Sequence, residues 1–224
     1  VPLLRGTCGV DYFNSVDLSG SVVFHEERTN GELMWLHEVV AGVDQAAFSA
    51  RVSSQYVADA SGEHRFGLVS VGLSRLYLDG RLLVDNWDAW QAGDTYFGSG
   101  SREAIGIAEL EAGRAYRVTA EYSLRTAVAL GVKALRIGVM QPLGDAAIAR
   151  AVQLAASSEV AVLCVGLNGD WDTEGQDRPH MDLVGRQDEL IARVAAVNSR
   201  TVVVLQTGGP VAMPWLEQVA AVLA

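Results

Sequence analysis

The spacing of hydrophobic and polar positions follows two rules along this chain, and the change falls near residue 142. Between residues 12 and 140 the period is two. Phe48-Ser49-Ala50-Arg51-Val52-Ser53 alternates in character, and residues 64–71 and 116–124 mix β-branched and aromatic side chains between glycine-bearing turns. That is the pattern of half-buried antiparallel strands. Asp79-Gly80 separates Arg75-Leu76-Tyr77-Leu78 from Arg81-Leu82-Leu83-Val84, which predicts a tight hairpin because both turn positions tolerate positive φ. Glu111-Ala112-Gly113-Arg114 is a second turn between strand-like runs. Residues 8–141 therefore predict an antiparallel β-sandwich, a meander or Greek key of about eight to ten strands.

Beyond Pro142 the apolar residues come in blocks. Residues 146–156 are strong helix formers with Asp145 as the expected N-cap, and residues 160–165 form a continuous apolar strand. A polar loop, a helix over 187–197 and a second apolar strand over 201–205 follow. Strands without alternation, separated by helices, predict a parallel sheet covered on both faces, with ligands gathering beyond the carboxyl ends of its strands. Two strands and their helices do not close a core. The final Val219-Ala220-Ala221-Val222-Leu223-Ala224 reads as the start of another apolar element, so 142–224 is expected to be a partial α/β domain. The fold class is multi-domain, a β-sandwich joined to partial βαβ material.

Composition narrows the ligand. Lys plus Arg is 17 against 27 Asp plus Glu, a formal net charge of -10, which disfavours nucleic acid and anionic membrane surfaces. No apolar stretch approaches the roughly 18 residues needed to cross a bilayer. The start Val1-Pro2-Leu3-Leu4-Arg5 lacks signal-peptide shape, but without an initiator Met this leaves the compartment open between cytoplasm and secretion. Cys8 and Cys164 make no disulfide framework, and Cys164, inside an apolar run, is expected as a buried free thiol. His25, His37, His64 and His180 have no paired ligand spacing, so neither metal nor cofactor is expected.

Two segments concentrate candidate chemistry. The loop 166–183 places Asp170, Asp172, Glu174, Asp177 and Asp182 with Trp171 at a strand's carboxyl end. Composition leaves two readings of it, a solvated acidic loop with helix caps or a reactive site. Between Asp85 and Ser101, Trp87, Trp90, Tyr96 and Phe97 alternate with short polar groups and glycines. Such a loop suits a sugar, although Trp87 and Trp90 equally suit the cover of one end of a core.

The run Val165-Gly166-Leu167-Asn168, Asp170-Trp171, Glu174-Gly175, Asp177-Arg178, Asp182-Leu183, then Gln187-Asp188-Glu189-Leu190-Ile191, Thr201-Val202-Val203-Val204-Leu205, Gly208-Gly209-Pro210-Val211 and Met213-Pro214-Trp215 resembles the second domain of glycoside hydrolase family 3 β-glucosidases. Upstream, Asp11-Tyr12-Phe13-Asn14, Asp17-Leu18-Ser19-Gly20, Phe48-Ser49-Ala50-Arg51, Phe66-Gly67-Leu68, Leu76-Tyr77-Leu78-Asp79-Gly80 and Asp85-Asn86-Trp87 resemble the protective-antigen-type sandwich that some members insert into that domain. The resemblance implies retaining, exo-acting hydrolysis of terminal β-linked glucose, with an Asp nucleophile in a barrel domain absent from these residues. On the matching motif Glu174 is the acid/base, a role that suits a carboxyl in a partly desolvated site. Gly169-Asp170-Trp171 echoes the Ser-Asp-Trp setting of the family's nucleophile, but it lies in the acid/base loop, so Asp170 is not assigned that role.

Asp177 and Arg178 are expected to support the loop, and Trp171 to stack on a sugar or to pack beneath it. The resemblance also implies that Tyr96-Phe97-Gly98 leans over the site and limits substrate length, with Phe97 and Asp94 touching the sugar. The expected partners are β-glucosides or short oligosaccharides and the barrel domain of the same protein; a homo-oligomer is left open, and His180 has no assigned role. Rival readings are a β-xylosidase of the same family, a free-standing carbohydrate-binding or adhesin sandwich without catalysis, and an interaction domain.

Overall fold

The computed structural model describes residues 1–36, 38–124, 131–141, 144–168, 171–172 and 177–224. The chain divides into two compact units, Val1–Pro142 and Leu143–Ala224. Unit one contains β1 (Arg5–Phe13), β2 (Phe24–Asn30), β3 (Glu32–Trp35), β4 (Ser49–Val57), β5 (Gly62–Val71), β6 (Leu73–Leu78), β7 (Arg81–Asn86), the single turn α1 (Thr95–Gly98), β8 (Ala104–Leu110), β9 (Ala115–Ser123) and β10 (Lys133–Met140). Every described pairing among these strands is antiparallel. They form a six-stranded sheet in the order β2-β1-β4-β9-β6-β7 and a four-stranded sheet in the order β3-β10-β5-β8.

The period-two pattern does the sorting. Val10 and Tyr12 of β1, Val52 of β4, Leu76 of β6 and Val118, Ala120 and Tyr122 of β9 share one core with Leu33 and Trp35 of β3, Phe66 and Leu68 of β5 and Leu135 and Ile137 of β10. Alternate side chains of both sheets thus meet in a single apolar layer. At its centre Trp35 lies 5.3 Å from Phe48 and 5.2 Å from Tyr122, centroid to centroid, and Tyr12 stands edge-on to Trp35 at 6.0 Å. The polar ends of these rings are satisfied: Tyr122 donates to the Val71 carbonyl at 2.6 Å, Trp35 Nε1 to the Tyr12 hydroxyl at 3.2 Å, and Tyr12 to Glu26 at 2.6 Å. Burial holds the Tyr122 hydroxyl far above its ordinary pKa. The β6–β7 hairpin turns on Asp79 and Gly80 with φ of 49° and 84°. Asp79 Oδ1 also accepts from the Arg117 amide at 2.8 Å, which ties the turn to β9.

Unit two contains α2 (Asp145–Ala156), β11 (Ala161–Gly166), α3 (Gln187–Ala195), β12 (Thr201–Gln206) and β13 (Ala221–Leu223), the last being the apolar element foreseen at the chain's end. The three strands pair in parallel, β11-β12-β13. Ile148 and Ala155 of α2 and Ile191 and Val194 of α3 are buried, and Ala155 and Val194 pack with Ala161 while Ile191 packs with Val165, Val203 and Leu205. Both helices therefore cover the same face.

Three expectations need correction. Among the described residues the sheet is covered on one face and not both: Val162, Cys164 and Leu223 of the other face are exposed. Cys164 is accordingly an exposed thiol, whereas Cys8, on the inward rows of β1, is buried. The N-cap of α2 is Gly144, with Asp145 as the first helical residue. Asp145 instead reaches Arg186 at 2.7 Å, while still placing negative charge at the helix's positive end.

Trp35→Ala should cost about 3–5 kcal/mol in chemical denaturation, because it empties the ring cluster and removes the donor to Tyr12. On α3, Arg186 at 2.7 Å and Arg193 at 3.2 Å hold the Glu189 carboxyl well below its ordinary value of 4.5, down to about 2. A folded pKa depressed in this way contributes stability above the unfolded value, and that contribution is lost as pH falls through the folded one. Carboxyl NMR should find the Glu189 midpoint near 2, and Arg186→Ala should move it upward.

Candidate functional site

The loop that leaves β11 is fixed before it begins. Gly166 has φ of 154°, and a Cβ there would lie 1.9 Å from the Gln206 carbonyl oxygen, so only glycine lets the ends of β11 and β12 approach this closely. Gln187, the first residue of α3, grips the same point. Its Oε1 accepts from the Gly166 amide at 2.8 Å, and its Nε2 donates to the Gly166 carbonyl at 2.9 Å and to the Val184 carbonyl at 3.0 Å. One side chain thereby joins the entry of the loop to its exit.

A second tie links this loop to the one after β12. Asp172 Oδ2 accepts from the Gly208 amide at 2.8 Å, Arg178 Nε stands 3.5 Å from Asp172 Oδ1, and Arg178 Nη2 donates to the Pro210 carbonyl at 2.5 Å. Arg178 Nη1 is buried and has no partner among the described residues. The amides of Trp171 and Asp172 both donate to the Asn168 carbonyl at 2.9 Å, which closes a turn before the tie. Beneath the loop, Trp215 is buried with Leu183 and Ile191, and its Nε1 donates to Asp188 at 2.7 Å.

Glu174, together with 169, 170, 173, 175 and 176, lies outside the described residues. Of the other expected residues, Arg178 sits in the tie and Asp177 is exposed. Trp171 is 38% exposed, and its ring is tilted against His180 at 6.3 Å. Sequence reasoning passed over Asp172 as one carboxylate of five and Gln187 as a helix start. Their partners lie 36 and 21 residues away, a separation that carries no local signal.

In unit one the aromatic loop is compact. The Gly93 amide donates to the Gly100 carbonyl at 2.9 Å, the Arg102 amide to the Gln91 carbonyl at 2.8 Å, and Thr95 Oγ1 to the Ser101 carbonyl at 3.0 Å. Tyr96 and Phe97 at its tip have φ of 51° and 59°, left-handed values that large L side chains seldom adopt. Tyr96 points inward against Val71, Val132 and Ala134, and Phe97 is 71% exposed beside an exposed Asp94. Trp87 has one face taken by the Arg75 guanidinium at 4.7 Å. Among the described residues no group of three His, Cys, Asp or Glu could hold a metal ion.

Residues 21–224 match the family described as the glycosyl hydrolase family 3 C-terminal domain. The chain is 45% identical over 225 residues to a β-glucosidase of Rhizobium radiobacter, covering 100% of this chain and 28% of that protein. It is 41% identical over 210 residues to probable β-glucosidase J of Aspergillus fumigatus, covering 89% of this chain and 24% of that one. The crystal structure of a β-glucosidase from Kluyveromyces marxianus in complex with glucose is similar at a TM-score of 0.84 and 31% identity, covering 96% of this chain and 26% of that one. The chain thus spans about a quarter of the length of these relatives.

Gln187→Ala should lower stability by about 1–3 kcal/mol, because it leaves backbone groups of Gly166 and Val184 unpaired in a half-buried setting. Gln187→Glu keeps the acceptor for the Gly166 amide but turns a carboxylate oxygen towards the Gly166 and Val184 carbonyls, so at neutral pH equilibrium denaturation should rank it no more stable than the alanine variant.

Proposed function

This chain belongs to the glycosyl hydrolase family 3 C-terminal domain family, and on that basis we propose that it is part of a retaining, exo-acting β-glucosidase. In this reading it supplies the acid/base, Glu174, and a protective-antigen-type sandwich over residues 8–141, inserted into the α/β domain of which 142–224 is a part. An Asp from a barrel domain of the same protein attacks the anomeric carbon. The carrying observation is the loop after β11, which leaves the carboxyl end of a parallel strand and is tied on both flanks of residue 174 by Gln187, Asp172 and Arg178. The family match running through both units supports the insertion, and the relatives' names favour glucosides over xylosides.

The chemistry follows from the pair of carboxyls. Glu174, neutral in the resting enzyme, protonates the glycosidic oxygen as the nucleophile forms a glucosyl ester. Glu174, now a carboxylate, then takes a proton from water as that water releases glucose with its configuration retained. Trp171 offers its exposed face to the sugar or its aglycone. Phe97, with Asp94 beside it, acts as a gate that contacts the glucose or the next unit and restricts chain length.

In the whole enzyme, Glu174→Ala should slow substrates with poor leaving groups by at least about 100-fold, since general acid–base catalysis contributes roughly 10²–10⁴. Added azide should speed turnover of activated aryl glucosides and yield a β-glucosyl azide, because a small anion needs no general base. Near-native rates on alkyl glucosides would remove Glu174 from the mechanism. Phe97→Ala should raise KM for disaccharides by roughly 5- to 150-fold if its ring contributes about 1–3 kcal/mol of uniform binding. Steady-state kinetics on chains of two to five glucose units checks the gate, which fails if the chain-length profile is unchanged.

A further inference from the structure

Beneath the aromatic loop four buried polar side chains meet. Ser70, Ser74 and Ser101 are 0% exposed and Asn86 is 1% exposed. Asn86 Nδ2 lies 2.9 Å from Ser101 Oγ and 3.1 Å from both Ser70 Oγ and Ser74 Oγ. Ser70 donates its hydroxyl to the Gly72 carbonyl at 2.8 Å, so the 2.8 Å contact with Ser74 is one in which Ser74 donates. The Ser70 amide donates to Ser101 Oγ at 3.2 Å, and the Ser101 amide returns a bond to the Ser70 carbonyl at 2.9 Å. Every hydroxyl of the cluster has a partner, as a polar group buried this deeply requires.

Position makes the cluster more than a satisfied core. Ser70 belongs to the four-stranded sheet, and Ser74 and Asn86 to the six-stranded one. Asn86 is the last residue before segment 87–101, and Ser101 is its end. The cluster therefore fixes both ends of the loop to both sheets. Above it stand two consecutive aromatic residues in left-handed backbone, a conformation that persists only where the surroundings over-determine it. Thr95 and Gly100 close the turn so tightly that a Cβ on Gly100 would lie 2.1 Å from Thr95 Oγ1. An apolar cluster would fill the same volume, but it would not specify the direction in which the loop leaves it.

We infer that Asn86 is the positioning residue of the aromatic loop: its carboxamide fixes the loop ends, holds Phe97 in its left-handed, exposed setting and thereby sets the length of β-glucosyl oligosaccharide accepted. The kinetic part rests on the gate reading above; the anchoring part does not. The test uses the whole enzyme with Asn86→Ala, Ser101→Ala, Phe97→Ala and the Asn86→Ala/Phe97→Ala pair. Hydrogen exchange of the 98–102 amides should be faster by about 10-fold or more in Asn86→Ala and faster to a smaller degree in Ser101→Ala, with β1 and β4 unchanged. Asn86→Ala should raise the disaccharide KM by about 3-fold or more with kcat altered by less than about 2-fold. Combined with Phe97→Ala it should add less than about 2-fold, because the two changes act through one loop.

Unchanged loop exchange in both Asn86→Ala and Ser101→Ala overturns the anchor. A KM effect of Asn86→Ala that multiplies with that of Phe97→Ala overturns its route through Phe97. An unchanged chain-length profile in Phe97→Ala with faster loop exchange in Asn86→Ala removes the gate and upholds the anchor. Ser101→Ala leaves the core volume almost intact, so the exchange measurement remains decisive if Asn86→Ala fails to fold.

Discussion

Gly166 faces Gln206 across a parallel pair so closely that any side chain would drive the strands apart. Because both strands end at that one edge, the loops that leave them must run side by side. Everything else at this end of the sheet follows from that approach. The Leu167 amide donates to the Gln206 carbonyl at 2.9 Å, Gln187 closes on the backbone of Gly166, and Asp172 comes within hydrogen-bond distance of Gly208. A larger residue at 166 would loosen all three contacts together, since each is made by a neighbour of the same strand ends.

The antiparallel unit solves a different problem. Its two sheets share one layer of side chains, and apolar burial supplies most of their cohesion without fixing direction. Direction comes from the polar atoms placed inside that layer. The Tyr122 hydroxyl ties β9 to the end of β5, Trp35 and Tyr12 tie β3 to β1, and Asn86 with its serines ties both sheets to the root of the aromatic loop. Each of these groups is costly to bury and is stable only in the register that satisfies it. A cohesive but indifferent core thereby becomes one with a definite loop geometry.

Much of this was legible in the sequence. Alternation gave the antiparallel strands, Asp79-Gly80 gave the hairpin, and unbroken apolar runs gave the parallel strands, because each signal lies within a few residues of its effect. The family resemblance drew attention to the loop after β11, while its expectation for Glu174 falls on a position outside the described residues. Two of the three errors share one cause, which is that a run of apolar residues reports hydrophobicity and not what covers it. Cys164 and Val162 read as core, yet they lie on the face away from α2 and α3. The missed ties of Asp172, Gln187 and Asn86 depend on partners brought close by the fold alone.

The way the loop after β11 is held bears on the chemistry proposed for it. A carboxyl that gives up a proton and later takes one back must stay at a fixed distance from the oxygen it serves, with a pKa near the working pH. Fixing it by a direct ion pair would defeat the second demand, because a neighbouring cation lowers a carboxyl's pKa. Gln187 fixes the loop's entry and exit with a neutral carboxamide that adds no charge to the site. Arg178, the cation nearest in sequence on the C-terminal side, is engaged by Asp172 and the Pro210 carbonyl, so its charge is balanced within the tie. Positioning by neutral groups and by an internally compensated pair separates the geometric requirement from the electrostatic one.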